Sequence, residues 1–188
     1  MAKVYEFIAN GSEEIEALTV IDVLRRAGVD VQTVSITGTR EAVLSHGVKI
    51  ECDTTIEECN FSDADMLLLP GGLPGATNLN EHEGVRQAML KQYNAGKKVG
   101  AICAAPLVLG GLGILKGKKA TCYPGFEDQM TGAEYTAEIF TIDGNVITGC
   151  GPAATLPYSY AILEMLGYSS EADALREGMM FKKLIQIN

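Results

Sequence analysis

Lys98-Val99-Gly100-Ala101-Ile102-Cys103-Ala104-Ala105-Pro106-Leu107-Val108-Leu109 (KVGAICAAPLVL) carries the reading of the fold. A short apolar run ends at a cysteine, two alanines and a proline follow, and a second apolar run begins. The stretch predicts a strand at Lys98–Ile102, a tight turn at Cys103 and a short helix. Cys103 sits at this turn among small residues, either as an inert packing choice or as an exposed nucleophile.

The same alternation extends in both directions. Residues 4–9 form an apolar strand pattern, and Asn10-Gly11-Ser12 turns the chain into a helix that reaches Arg26 and stops at Gly28. Ser12 is the expected N-cap, with Glu13, Glu14 and Glu16 suiting the positive helix end. Strands follow at 29–36 and 65–70, with an extra strand or extended crossover at 48–52. A helix is predicted over 80–93, a strand over 120–123, and a hairpin over 138–148 turning at Asp143-Gly144-Asn145. The last major helix spans 157–166. Continuous apolar strands separated by helices predict an α/β fold, with a mostly parallel central sheet covered by helices on both faces.

The chain has 188 residues, 47% of them apolar and 21% charged, which suits one domain over 1–188. A net charge of -9 without a basic run argues against nucleic acid as a partner. No apolar segment is long enough for a membrane span, and the acidic N-terminal stretch does not read as a secretory peptide. Five cysteines without a C-x-x-C pair, and only two histidines, His46 and His82, favour reduced thiols in a cytoplasmic protein with no metal site.

Helix one has an unusually wide apolar arc. Ala17, Val20, Ile21, Leu24 and Ala27 share one face, while Ile15, Leu18 and Val23 extend beyond it. A second buried side follows, against either another subunit or the rest of a monomer.

In an open α/β sheet, ligands sit at the carboxyl ends of the strands. Residues 9–12, 69–72 and 102–105 meet there. No G-x-G-x-x-G or P-loop lysine accompanies them, so a nucleotide cofactor has no support. The Gly71-Gly72 turn, together with Ala104, offers backbone N–H groups for an oxyanion hole beside Cys103. Cys52, Cys59, Cys122 and Cys150 lack such surroundings and read as structural. A cysteine–histidine triad is poorly served: Ala104 follows the cysteine, and His82 lies in an acidic, solvated helix start. A carboxyl partner remains. Glu13 and Glu14 read as solvated dipole partners. Glu16, flanked by Ile15, Ala17 and Leu18, is expected to be partly buried, with a raised pKa and a proton shared with Cys103.

The segments GSEEIE (11–16), LPGG (69–72), AICAAP (101–106), YPGFED (123–128) and Gly151-Pro152, in this order, resemble the DJ-1/ThiJ/PfpI superfamily, specifically its DJ-1 (ThiJ-like) branch. The resemblance spans nearly the whole chain. It implies a flavodoxin-like three-layer sandwich and a homodimer through helix one. It places Glu16 and Cys103 on the paired glutamate and nucleophilic cysteine, and Gly72 and Ala104 on the anion-binding amides. Glu13 and Arg26 fall on polar positions near the site and the dimer interface, Tyr123 on a pocket position that is histidine in some relatives, and His46 on a basic interface position. Ala104 in place of a histidine makes peptidase activity unexpected, and no phosphate or thiazole motif supports a role in thiamine biosynthesis.

The resemblance further implies a glyoxalase or deglycase, free of metal and other cofactors, acting on methylglyoxal or a related dicarbonyl through Cys103 and Glu16. The alternative is a redox-sensing or chaperone-like oxidative-stress protein whose exposed, low-pKa Cys103 is oxidised without turnover.

Overall fold

The computed structural model describes residues 1–186. Its strands are β1 (Lys3–Ile8), β2 (Asp30–Ser35), β3 (Glu41–Val43), β4 (Lys49–Glu51), β5 (Thr54–Thr55), β6 (Met66–Leu69), β7 (Lys98–Ile102), β8 (Lys119–Ala120), β9 (Glu134–Tyr135), β10 (Phe140–Asp143) and β11 (Val146–Gly149). The helices are α1 (Glu14–Arg26), α2 (Gly75–Glu81), α3 (Glu83–Asn94), α4 (Pro106–Gly111), α5 (Thr155–Met165), α6 (Ser169–Gly178) and α7 (Phe181–Leu184).

Seven strands form the central sheet in the order β10-β11-β7-β6-β1-β2-β5. Only β10 runs antiparallel to its neighbour. The four residues of β6, Met66 to Leu69, are all buried, as a strand covered on both faces requires. Helix α1 packs on α5, while α3 packs on β6 and β7 and α4 on β7. The result is the expected α/β three-layer sandwich.

Several local expectations are corrected. The helix predicted over 80–93 is two helices, because His82 is extended (φ -80°, ψ 109°) and its Nδ1 accepts from the Val85 N–H. His82 is therefore a half-buried cap rather than a solvated side chain. The strand at 120–123 shrinks to Lys119–Ala120, and the segment after residue 48 pairs with β3 as a hairpin outside the main sheet. Helices α6 and α7 carry few apolar residues, and the sequence reading passed over them. Helix α1 does end at Arg26, with Gly28 taking the left-handed conformation (φ 80°) that glycine adopts without a Cβ clash. Among the described residues, no helix is long and apolar enough to cross a membrane.

Candidate active site

The carboxyl ends of β1, β6 and β7 meet at one edge of the sheet. Strand β7 delivers Cys103 into a left-handed turn (φ 63°), a conformation that costs a non-glycine residue about 1–3 kcal/mol. Two backbone hydrogen bonds hold it there. The Cys103 N–H donates to the Gly149 carbonyl at 2.9 Å, and the Tyr123 N–H donates to the Cys103 carbonyl at 2.8 Å. Pro106 then opens α4 at a position where its missing N–H costs nothing. The geometry is a strand-turn-helix elbow that lifts one side chain off the sheet.

Glu16 reaches the same point from the first turn of α1. The cap of this helix is Glu13, not Ser12: the Glu16 N–H donates to Glu13 Oε2 at 2.8 Å. Ser12 instead turns back, its Oγ accepting from the Ala9 N–H. The loop after β6 is tied to this helix start twice. The Glu13 N–H donates to the Gly71 carbonyl at 3.0 Å, and the Gly71 N–H donates to Glu16 Oε2 at 2.9 Å.

Gly71 and Gly72 are required for separate reasons. A Cβ on Gly71 would lie 2.5 Å from Glu16 Oε2 and 2.6 Å from the Cys103 Cβ. Gly72 has φ 85°, and a Cβ there would lie 2.5 Å from the Glu13 nitrogen. Close packing of backbone on the reactive groups explains the double glycine.

Glu16 is fully buried. Its Oε1 has no N–H or O–H partner, and the Cys103 thiol is the polar group beside the carboxyl. Burial pushes the Glu16 pKa up to about 7, with the Glu13 charge adding to the effect and the bonds from Cys103 and Gly71 opposing it. The thiol is raised as well, by burial and then by the Glu16 carboxylate, while the Gly72 and Ala104 amides pull the other way. The two groups share one proton: ionising either one disfavours ionising the other. An exposed, low-pKa thiolate is not what the fold presents, since Cys103 is only 8% exposed.

The other candidates separate from this pair. Glu14, like Glu13, is buried rather than solvated. It accepts from Ser45 Oγ at 2.8 Å, from the His46 N–H at 2.5 Å and from His46 Nδ1 at 2.7 Å. Burial opposes its charge, but these bonds prevail and hold its pKa down to about 2. The same contact raises the pKa of His46. Glu13, Glu14 and His46 offer ligand atoms within 4.8 Å of one another, yet Glu14 and His46 are already spent on each other. Arg26 lies at the far end of α1, about 15 Å along the helix from Glu16, and pairs with Asp22 at 2.7 Å. Within one chain it does not reach the site. Tyr123 is 46% exposed, with its ring against Gly151. Sequence reasoning missed Gly149 as a holder of Cys103, and it read Gly71 as part of an oxyanion turn rather than as the donor to Glu16.

The model of the DJ-1/PfpI family matches residues 2–165. The chain belongs to the DJ-1/PfpI family. It is 39% identical over 161 residues to protein DJ-1 homolog B of Arabidopsis thaliana, covering 85% of this chain but 37% of that protein. It likewise spans 45% of Arabidopsis homolog A, so it is about half the length of these two relatives or less. A protein named deglycase from Pyrococcus horikoshii is 33% identical, over 87% of this chain and 99% of its own length. Among solved structures, Toxoplasma gondii DJ-1, described as oxidized, superposes with a TM-score of 0.92 at 31% identity, covering 96% of this chain and 98% of the other. The DJ-1 likeness thus extends over the sandwich that carries Glu16 and Cys103.

Proposed function

We propose that this chain is a cysteine-dependent enzyme of the glyoxalase or deglycase type, acting on methylglyoxal or a related small dicarbonyl. The observation that carries the reading is the convergence of the Cys103 thiol, the Glu16 carboxyl and the Gly72 and Ala104 amides at one buried point. The name of the Pyrococcus horikoshii relative supports it.

The chemistry follows from the shared proton. Cys103 adds to the aldehyde carbon to give a hemithioacetal, and the two amides hold the oxyanion. Glu16, with a pKa near neutrality, takes the proton from that carbon and returns it to the neighbouring one through an enediol. Water then releases lactate and regenerates the thiol. Every step uses groups of this chain and water. On a glycated amine or thiol, the same addition would lead to hydrolysis of the adduct.

We read the protein as a cytoplasmic homodimer. Five unpaired thiols support the compartment. The exposed Ile15 and Leu18 of α1, beside Leu156 of α5 in a shared groove, support the interface. The redox-sensing reading is favoured by one feature, the amides aimed at the sulfur, which would equally hold an oxidised sulfur's oxygen.

The test is lactate formation from methylglyoxal without glutathione, for wild type, Cys103→Ser and Glu16→Gln. Catalytic lactate that vanishes in Cys103→Ser and falls steeply in Glu16→Gln is expected. No more than one equivalent from wild type would sink the reading for this substrate.

A further inference from the structure

Strand β11 leads directly to a second thiol at the active-site edge. Gly149 is in register with Ile102, and the Cys103 N–H donates to the Gly149 carbonyl at 2.9 Å. This bond ends the β7–β11 ladder and brings the backbone of Cys150, the next residue, beside that of Cys103. Neighbouring strands lie about 4.8 Å apart, inside the roughly 4.4–6.8 Å Cα separation that a disulfide spans.

Cys103 leaves the pleat at its left-handed turn and faces Glu16. Cys150 is half-buried, and its thiol feels the same Glu16 carboxylate. The adjoining Gly151 has φ 157°, near the limit of extended backbone, and the Tyr123 ring lies against it. Cys122 is fully buried and also within electrostatic range of Cys150. Its neighbour Tyr123 donates its backbone N–H to the Cys103 carbonyl.

We infer that Cys150 is a resolving cysteine for Cys103, capturing its sulfenic acid as an intramolecular disulfide. The proposal rests on Cys103 being the reactive thiol of the site. A peroxide oxidises the Cys103 thiol, transferring one oxygen to sulfur while the thiol proton goes to the leaving oxygen, which departs as water or an alcohol. The Cys150 thiol then attacks that sulfur, and its proton passes to the departing hydroxide, which leaves as water. The peroxide is the two-electron oxidant. A thiol reductant returns both sulfurs to thiols. The disulfide diverts Cys103 from the irreversible sulfinic acid, and it suspends dicarbonyl turnover reversibly while peroxide persists.

Reduced protein is treated with hydrogen peroxide, alkylated, digested and analysed by mass spectrometry, for wild type, Cys150→Ser and Cys122→Ser. Circular dichroism checks that each variant folds. Wild type and Cys122→Ser are expected to yield a Cys103–Cys150 linked peptide that dithiothreitol releases. Cys150→Ser is expected to lose that link and accumulate Cys103 sulfinic acid severalfold faster. Equal sulfinic acid in wild type and Cys150→Ser, a link to Cys122, or a link between two chains would each overturn the proposal. Lactate formation is followed in parallel. Turnover with no Cys103–Cys150 link defeats the resolving role alone, whereas Cys103 inert to both peroxide and dicarbonyl defeats the reactive-cysteine reading with it.

Discussion

Glu6 in the middle of β1 and Glu16 at the start of α1 are both shut away from solvent, at 1% and 0% exposure. Each has one carboxyl oxygen without a partner, Oε2 in Glu6 and Oε1 in Glu16. Burial raises both pKa values, and Glu6 goes well above its ordinary value. The difference lies in what surrounds them. Glu16 receives the Gly71 N–H and faces a thiol that two further amides support. Glu6 sits across the sheet between Thr33 and Leu68, within electrostatic range of Arg25, Cys52, Tyr158 and Glu16. Burial alone makes a neutral carboxyl. A proton carrier also needs a nucleophile to exchange with and fixed dipoles that favour the charged form of one partner.

The sharpest way to break this contrast is to neutralise each carboxyl in turn. Glu16→Gln is expected to lower methylglyoxal turnover by about 10²–10⁴-fold, the usual worth of a general acid–base group. Glu6→Gln is expected to leave turnover unchanged. Equal losses in steady-state assays would mean that burial, not the partner set, is what matters.

Next in size is Gly71→Ala. The added methyl would press on both Glu16 Oε2 and the Cys103 Cβ, and a displacement of this kind costs about 10²-fold in kcat/KM. Wild-type kinetics in the alanine variant would show that the alignment of the pair is not needed.

Much of this was legible because it rests on local pattern. The strand at Lys98–Ile102 reads as an unbroken apolar run, and Gly28 marks the end of α1. Glu16 stood out through its apolar flanks and Cys103 through its small neighbours. What was illegible depends on distant contacts. Glu14 looked like Glu13 until the β3–β4 hairpin supplied Ser45 and His46. The break at His82 depends on its ring accepting the Val85 N–H, a contact that the nearby Gly84 does not announce. Cys150 looked like any structural thiol, because its place beside Cys103 is set by the register of β11 on β7. Glu6 is the lone polar residue in the apolar run Val4–Ala9, and local pattern does not tell whether such a residue meets solvent or the core.

The third expected effect is on stability. Glu6→Leu removes a buried, unsatisfied oxygen and is expected to raise the unfolding free energy by about 1–3 kcal/mol in urea titrations at pH 7. The sign of the pH dependence is fixed by the raised pKa. The folded state holds the Glu6 proton more tightly than the unfolded chain does, so wild-type stability falls as pH rises above about 4.5, the value of a free glutamate. The gain from Glu6→Leu is therefore smallest near pH 4 and grows toward neutral pH. Glu14 has the opposite sign: its lowered pKa gives stability that is present above about 4.5 and lost as pH falls toward 2. A gain that did not change with pH would show that Glu6 ionises in the folded chain as freely as in the unfolded one.

The smallest effect separates the two jobs of Glu13. Its Oε2 caps α1 by accepting the Glu16 N–H, and its charge helps to raise the Glu16 pKa. Glu13→Gln keeps a side-chain oxygen for the cap and removes the charge. Stability should therefore hold, while the Glu16-dependent limb of the kcat/KM profile moves to lower pH. Glu13→Ala removes both, adding the loss of about 1 kcal/mol typical of a missing helix cap. If the limb stays in place in Glu13→Gln, Glu16 is tuned by its burial and its contacts with Gly71 and Cys103 alone. Its resemblance to Glu6 is then closer, and the thiol becomes the one feature that turns a buried acid into a working one.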